Sequence, residues 1–468
     1  MIGGVPKALS NFSVYHVMIL GTYGAIMLNV NPAAKPGPFV PSERKPPGHT
    51  TTQKTVGHTT VVAVPDHVLR QQVPIEKAPV PSLWPPDDAV VLKTCRGGSK
   101  ATVEICESPS LGVKYARKYV AADIRKNPEE WRLEQGRLEN DLKTYQDLEH
   151  MALKDRFGGL YHHSRSPEEG LVLYLEYAGS TVLANHAMSD SETALVATQD
   201  FFTGLTADIV DICAHGSEGP ESQVLRKHLF LDRIVNRLNP KDKDVEGMSN
   251  AEGFVREVQD LRGRWETCYT QLEALLLAGP VVALPTDTTF LNMMRNPETG
   301  EVKCIDPGKI DTTAAAYPLS KMLVFGPYYR FVNDKEFEMT ASGFVPTDPV
   351  SVVRSADVLG CGQAILETLD PMMATQTIVA GWIQFGGDLG YRYNAEDMAS
   401  GKTFADLSLF SRSLTYLEGC IAGVLQDMGL PPTKVLSEAE CGEFAEKFVV
   451  QRGRYLLAEV AMLLGKEG

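Results

Sequence analysis

No histidine follows His228 in this 468-residue chain. The second half therefore holds no imidazole to act as a general base or to complete a Ser-His-Asp triad, and acid–base chemistry there falls to carboxylates. Its eight cysteines, at 95, 106, 213, 268, 304, 361, 420 and 441, form no Cys-x-x-Cys pair. That scatter excludes a zinc-knuckle arrangement and a disulfide framework, and suits free thiols in a reducing cytoplasm. Basic charge is short as well: 45 Lys and Arg against 59 Asp and Glu leave a formal net charge of -14. Such a balance argues against a nucleic-acid binder that works by broad phosphate neutralisation, and it favours cationic ligands. Long apolar runs are also missing. The best stretch, Val14 to Val30, is broken by Tyr15, His16, Thr22, Tyr23 and Asn29, with only Lys7 as basic charge ahead of it. It reads as a buried strand and turn, neither a signal peptide nor a membrane span.

Hydrophobic residues at 43% and charged residues at 22% are those of a folding globular chain. Its length predicts two or three domains or lobes. Residues 1–86 read as an N-terminal extension. Met18-Ile19-Leu20-Gly21-Thr22-Tyr23-Gly24 looks like a structural strand with a glycine turn. Pro32, Pro36, Pro38, Pro41, Pro46 and Pro47 mark an irregular connection, and the repeat Gly48-His49-Thr50-Thr51 and Gly57-His58-Thr59-Thr60 suggests a short hairpin. A second proline cluster, Pro74 to Pro86, precedes three β-like runs at Ala89 to Lys93, Ala101 to Cys106 and Leu111 to Tyr115. Trp131, Leu138, Leu142, Tyr145 and Leu148 then recur at helical spacing within Glu129 to Met151. Leu171 to Tyr177 reads as a strand ending at Ala178-Gly179-Ser180. Beyond it helices are expected at 191–215, 221–238, 251–278, 317–331, 349–370, 404–428 and 437–464. The expected class is α+β, with a small antiparallel sheet lobe over 87–180, a large helical lobe over 181–468, and a ligand cleft between the two.

One segment interrupts the helices. Phe290-Leu291-Asn292-Met293-Met294 and Val302-Lys303-Cys304-Ile305 read as two short strands joined by the turn formers Asn296-Pro297-Glu298-Thr299-Gly300, with Asp306-Pro307-Gly308 following. Such a hairpin turns Asn292 and Asp306 toward one region, and Asp287 on the loop before it joins them. Two carboxylates and an amide that converge suit a divalent cation on phosphates beside an activated hydroxyl.

On these residues the chain resembles the aminoglycoside phosphotransferase and choline kinase group, which has a protein-kinase-like fold. The resemblance covers about 88 to 331. It implies ATP and Mg²⁺ as cofactors, Asp287 as the catalytic base that orients an acceptor hydroxyl, and Asn292 and Asp306 as metal ligands. Upstream it implies a nucleotide site made from the glycine-rich turn Gly97-Gly98-Ser99, the strand lysine Lys114, a helix acid that is either Asp141 or Glu139, and a hinge whose backbone at Glu176 and Ala178 meets the adenine edge. Tyr317-Pro318-Leu319-Ser320-Lys321-Met322 resembles the group's Tyr-Asp-Leu-Ala-Lys-Leu helix, with Pro318 in place of the acid. Pro285-Thr286 replaces the group's His-Gly before the catalytic Asp, which removes a brace from the loop. The implied activity is phosphoryl transfer from ATP to a hydroxyl of an aminoglycoside, amino sugar or amino alcohol, in a cytoplasmic enzyme with no nucleic-acid or membrane partner. Asp208, Asp211 and Asp370 are acids available to an acceptor pocket. The alternative is a degenerate member that holds a nucleotide or a partner without turnover.

Overall fold

A computed structural model describes residues 84–96, 101–183, 192–241, 245, 251–328, 337–340, 343–346 and 349–463. The chain divides into two units, Met1–Glu76 and Lys77–Gly468. All of the first unit lies outside the described residues, and with it the expected strand at Val14 to Val30 and the hairpin at 48–64. Gly97, Gly98 and Ser99 also lie outside them.

The second unit begins with an antiparallel sheet of β1 (Val90–Arg96), β2 (Ala101–Ser108), β3 (Val113–Val120), β4 (Leu160–Ser166) and β5 (Gly170–Glu176), in the order β1-β2-β3-β5-β4. The β-like runs were thus located correctly but read too short, and β4 was missed. Its sequence Leu-Tyr-His-His-Ser-Arg-Ser is polar along most of its length, as an edge strand can be. Between β3 and β4 runs helix α1 (Pro128–Leu148), whose start is dictated locally. Asn127 Oδ1 accepts from the amides of Glu129 and Glu130, and Pro128 occupies the first turn, where its missing N–H costs nothing. Leu138, Leu142, Tyr145 and Leu148 form its buried stripe.

The chain leaves β5 through Gly179, at φ 133°, where a side chain would run into the Arg295 backbone. Thr181–Val182 (β6) then pairs with Met293–Arg295 (β8), which pairs with Val302–Cys304 (β9), while Val282–Pro285 (β7) pairs with Ile310–Thr313 (β10). Phe290–Asn292 forms a single 3₁₀ turn ahead of β8, not the start of a strand as expected. This turn lets the Asn292 amide donate back toward Asp287.

Apart from an antiparallel hairpin of Phe337–Thr340 (β11) and Gly343–Pro346 (β12), the larger remaining elements are helices: α2 (Glu192–Cys213), α3 (Pro220–Lys227), α4 (Arg233–Arg237), α5 (Ala251–Leu277), α6 (Ala316–Ser320), α7 (Pro349–Leu366), α8 (Pro371–Leu389), α9 (Ala395–Ala399), α10 (Lys402–Asp427) and α11 (Glu438–Leu463). A π turn at His228–Asp232 joins α3 to α4, and a second at Lys321–Phe325 continues α6. The sequence reading lacked α8, a helix buried along most of its length. Fifteen of its residues from Ala374 to Leu389 are buried. A helix buried all round gives no periodic signal, and Gly381, Gly386 and Gly387 further disguise it. Those glycines let neighbours approach: a Cβ on Gly386 would meet the Phe410 ring of α10. The fold is α+β, with the antiparallel sheet first and the helices after it, in the order expected from the sequence.

Candidate active site

Asp287, Asn292 and Asp306 come together as their spacing predicts. Asn292 Nδ2 donates to Asp287 Oδ2 at 3.1 Å and to the Asp306 carbonyl at 3.3 Å. The Ile305 amide donates to the Asn292 carbonyl at 2.7 Å, fixing the loop on the far side. Asp306 has φ 54°, the one positive value at a non-glycine residue among those described. Backbone held in that sparsely populated region fixes the direction of the carboxylate and costs about 1 kcal/mol or more. Buried Tyr145, hydrogen-bonded to the Asp306 backbone, supports it from α1. Beneath the loop, the Cys304 thiol is pushed well up by burial and by Asp287 and Asp306, so it is a neutral floor and not a nucleophile.

The loop holds no imidazole, yet it is braced on both sides. The Thr286 amide donates to the Lys309 carbonyl at 2.9 Å, and Thr286 Oγ1 accepts from the Lys309 amide at 3.3 Å. The Asp287 amide donates to the Pro307 carbonyl at 3.1 Å, and buried Thr288 Oγ1 to the Pro318 carbonyl at 2.6 Å. Hydroxyls at 286 and 288 thus anchor both sides of Asp287. Pro318 lies in the first turn of α6, where a proline removes no helical hydrogen bond.

On the sheet side it is Lys118, not the expected Lys114, that meets Asp141 and Asp306. Lys118 Nζ stands 3.0 Å from Asp141 Oδ2 and 3.5 Å from Asp306 Oδ1. Lys114 instead reaches Glu298 in the turn after β8, at 2.6 Å. Both lysines lie on one face of β3, since strand side chains alternate. Four residues of strand separate them by about 13 Å, and only Lys118 lies opposite α1. Burial works against the Lys118 ammonium, but Asp306 and Asp141 outweigh it and raise its pKa above the ordinary lysine value. Asp141 is raised by burial, with Lys118 pulling the other way. Of the two helix acids, Glu139 is taken by Arg165 of β4 at 2.5 Å. Positions two apart lie on opposite sides of a helix, so only one could face Lys118.

At the hinge, the Glu176 amide donates to the Gly159 carbonyl at 2.7 Å and is therefore committed within the lobe. Its carboxylate accepts from Lys303 Nζ at 2.5 Å and from the Gly159 amide at 2.9 Å. Glu176 thus fixes β5 to β9, a structural role that a backbone contact to adenine did not anticipate. Ala178 is buried just beyond it.

The far side of Asp287 was not legible in advance. Lys321 Nζ stands 2.9 Å from Asp287 Oδ1 and lies over the Tyr317 ring, 5.2 Å from its centroid. Burial opposes the Lys321 charge, but Tyr317 and Asp287, with Asp388 behind them, outweigh it and raise its pKa. The Arg233 guanidinium covers the same ring at 4.8 Å. Asp208 is engaged by Arg156 at 2.6 Å, Asp370 caps α8 through the amides of Met372 and Met373, and Asp211 is exposed. None of these three acids is seen bonded to the Asp287 loop.

The donor set suits magnesium carried on a nucleotide. Mg²⁺ takes oxygen ligands, one or two of them carboxylates, and leaves the rest to water and phosphate. Asp306 supplies a half-exposed carboxylate, and Asn292 keeps its carbonyl oxygen clear of hydrogen bonds among the described residues. Those residues hold no group of three or more His, Cys, Asp or Glu side chains able to bind a metal by themselves. None of their helices is long and apolar enough to cross a membrane.

No family model matches this chain, and no curated protein does. Solved structures do match, among them an ethanolamine kinase of Plasmodium vivax, at 12% identity and a TM-score of 0.38 over 71% of this chain and 82% of that one.

Proposed function

We propose that the protein is an ATP-dependent phosphotransferase that acts on a hydroxyl of a small metabolite. One observation carries the reading: Lys118, bonded to Asp141, also reaches Asp306, while Asn292 ties Asp306 to Asp287. A single chain of contacts thereby links a cationic phosphate-binding position, a metal-binding position and a base. Lys118 would hold the non-transferring phosphates, with Asp141 keeping its ammonium in place. Asn292 and Asp306 would hold Mg²⁺, which neutralises charge on the transferring phosphates. Asp287 accepts the proton of the acceptor hydroxyl and aims its oxygen at the γ-phosphorus. The P–O bond to the nucleoside diphosphate breaks as the bond to the acceptor oxygen forms, and most of the rate comes from such positioning.

A second reading has its own support. Both Asp287 oxygens are engaged, one by Lys321 and one by Asn292, which would suit a member that binds nucleotide without turnover. A carboxylate offers about four lone-pair sites, so two contacts still leave room for a hydroxyl, and this favours the enzyme. Radiolabelled ATP with an acceptor panel separates the two. Transfer by wild type that Asp287→Asn lowers about 10²-fold or more, with Mg-ATP binding retained, supports the enzyme. Binding without any transfer leaves only the second reading.

A further inference from the structure

The side of Asp287 away from the sheet is lined by cations, and this bears on which acceptor the proposed transferase would take. A narrow recess opens beside Tyr317, between α4 and α8. Its polar lining is Arg233 and Gln384, and Leu229, Ile234 and Ile383 are among its apolar walls. Gln384 is only 6% exposed and has no hydrogen-bond partner among the described residues. Arg233 rests on the Tyr317 ring, likewise with no hydrogen bond or close ion pair among those residues. Both side chains line the recess, so their donors are open to a ligand that supplies acceptor oxygens there. Other charges nearby are already committed. Lys321 is bonded to Asp287, Arg392 to Asp406 and Asp397, and Arg237 to the Gly387 carbonyl and the Tyr391 hydroxyl. Asp388 is the remaining acid, and Lys321, Arg392, Arg237 and Arg233 surround it. The cations and acids named here are equal in number, and Arg233 is the cation whose guanidinium makes no hydrogen bond among the described residues.

We infer that the acceptor carries an anionic group, a carboxylate or a phosphate, which Arg233 and Gln384 hold beside Tyr317 while its hydroxyl faces Asp287. This rests on the phosphotransferase reading for the hydroxyl, but the anion site stands on its own geometry. It reverses the charge expected of an amino alcohol or amino sugar. A planar guanidinium next to an amide donor is suited to two parallel bonds to such an oxyanion.

Calorimetric titration of the full chain with glycerate, glycerol 3-phosphate, ethanolamine and choline tests the inference, with and without Mg²⁺ and a non-hydrolysable ATP analogue. At least one of the two anions should bind and neither amine should, the better anion showing whether carboxylate or phosphate is preferred. Arg233→Gln should weaken anion binding about tenfold or more, with nucleotide affinity unchanged, and Gln384→Leu should weaken it less. Tighter binding of the amines, no binding of either anion, or unchanged anion affinity in Arg233→Gln overturns the inference. A chain that binds glycerate through Arg233 but no nucleotide keeps the anion site and overturns the transferase.

Discussion

Lys321 Nζ lies 2.9 Å from Asp287 Oδ1, on the side opposite Asn292, which donates to Oδ2 at 3.1 Å. The base is thus held between an ammonium and an amide, and its rotamer is set before any substrate arrives. The two contacts differ in what they do. Asn292 links Asp287 to Asp306, whereas Lys321 sets a positive charge beside one carboxylate oxygen. Lys321→Met should lower phosphoryl transfer about 10²-fold, close to the loss in Asp287→Asn, with little change in nucleotide affinity. Because Asp287 is partly exposed, the loss in stability should be only about 1–2 kcal/mol, below that of a fully buried pair. Single-turnover rates and thermal unfolding of the same variant separate the two effects.

Lys118 and Lys114 offer a direct comparison on one strand. Lys118 is buried against Asp141 and Asp306, while Lys114 makes a partly exposed pair with Glu298. Lys118→Met should weaken Mg-ATP binding or transfer by about 10²-fold or more, because it removes the phosphate-facing charge and leaves Asp141 without its partner. Lys114→Met should leave stability close to that of wild type and transfer within a few-fold of it. Equal losses in both variants, measured by steady-state kinetics over an ATP series, would contradict the assignment of Lys118.

Which parts of this site could be read from the sequence follows from the range of the contacts. Asp287, Asn292 and Asp306 lie within twenty residues, and a turn rich in Pro, Thr and Gly makes their convergence a local matter. Lys118 was out of reach because Lys114 shares its strand face, and only the register of β3 against β5, with Lys118 opposite Leu173, decides which one meets α1. Glu139 and Asp141 were left as alternatives for the same reason, until the direction of α1 turned one toward Lys118 and the other toward Arg165. Lys321 and Arg233 are brought together by Tyr317 across 88 positions of sequence, at two π turns that no local pattern announces. Such turns often mark functional sites, but they arise from packing. The helix α8 shows the limit for the fold: burial on every side leaves no polar face from which a direction could be read.

Asp406 gives a pH signature away from the chemistry. Burial, reinforced by Asp388 and opposed by Arg392, raises its pKa to about 6 from an ordinary 3.8. Between these values the folded chain binds more protons than the unfolded one, so this group's contribution falls as pH rises through the window. It is most favourable below pH 4 and is lost above pH 6, by an amount on the order of a few kcal/mol. Asp406→Asn should therefore flatten the stability profile between about pH 4 and 6, as chemical denaturation at several pH values would show. A slope unchanged from wild type would place the titration elsewhere.

Gly308 tests whether the loop is held by backbone fit. It has φ 74°, and a Cβ there would stand 2.9 Å from the Asp287 Cβ and 3.1 Å from Thr286 Oγ1. Alanine would meet strain from the left-handed backbone together with contact against the catalytic residue itself. Neither neighbour can move freely, because Thr286 is bonded to Lys309 and Asp287 to Lys321. Gly308→Ala should cost about 1–3 kcal/mol of stability, the range for a substitution at such a backbone position. Its effect on transfer should be larger than that loss predicts, about 10²-fold, because displacement of a base by as little as about 1 Å removes its aim at the acceptor. Unfolding at 25 °C and kcat with saturating ATP read the two quantities on one preparation. A variant destabilised by this amount yet fully active would show that Asp287 is positioned from the Lys321 side alone.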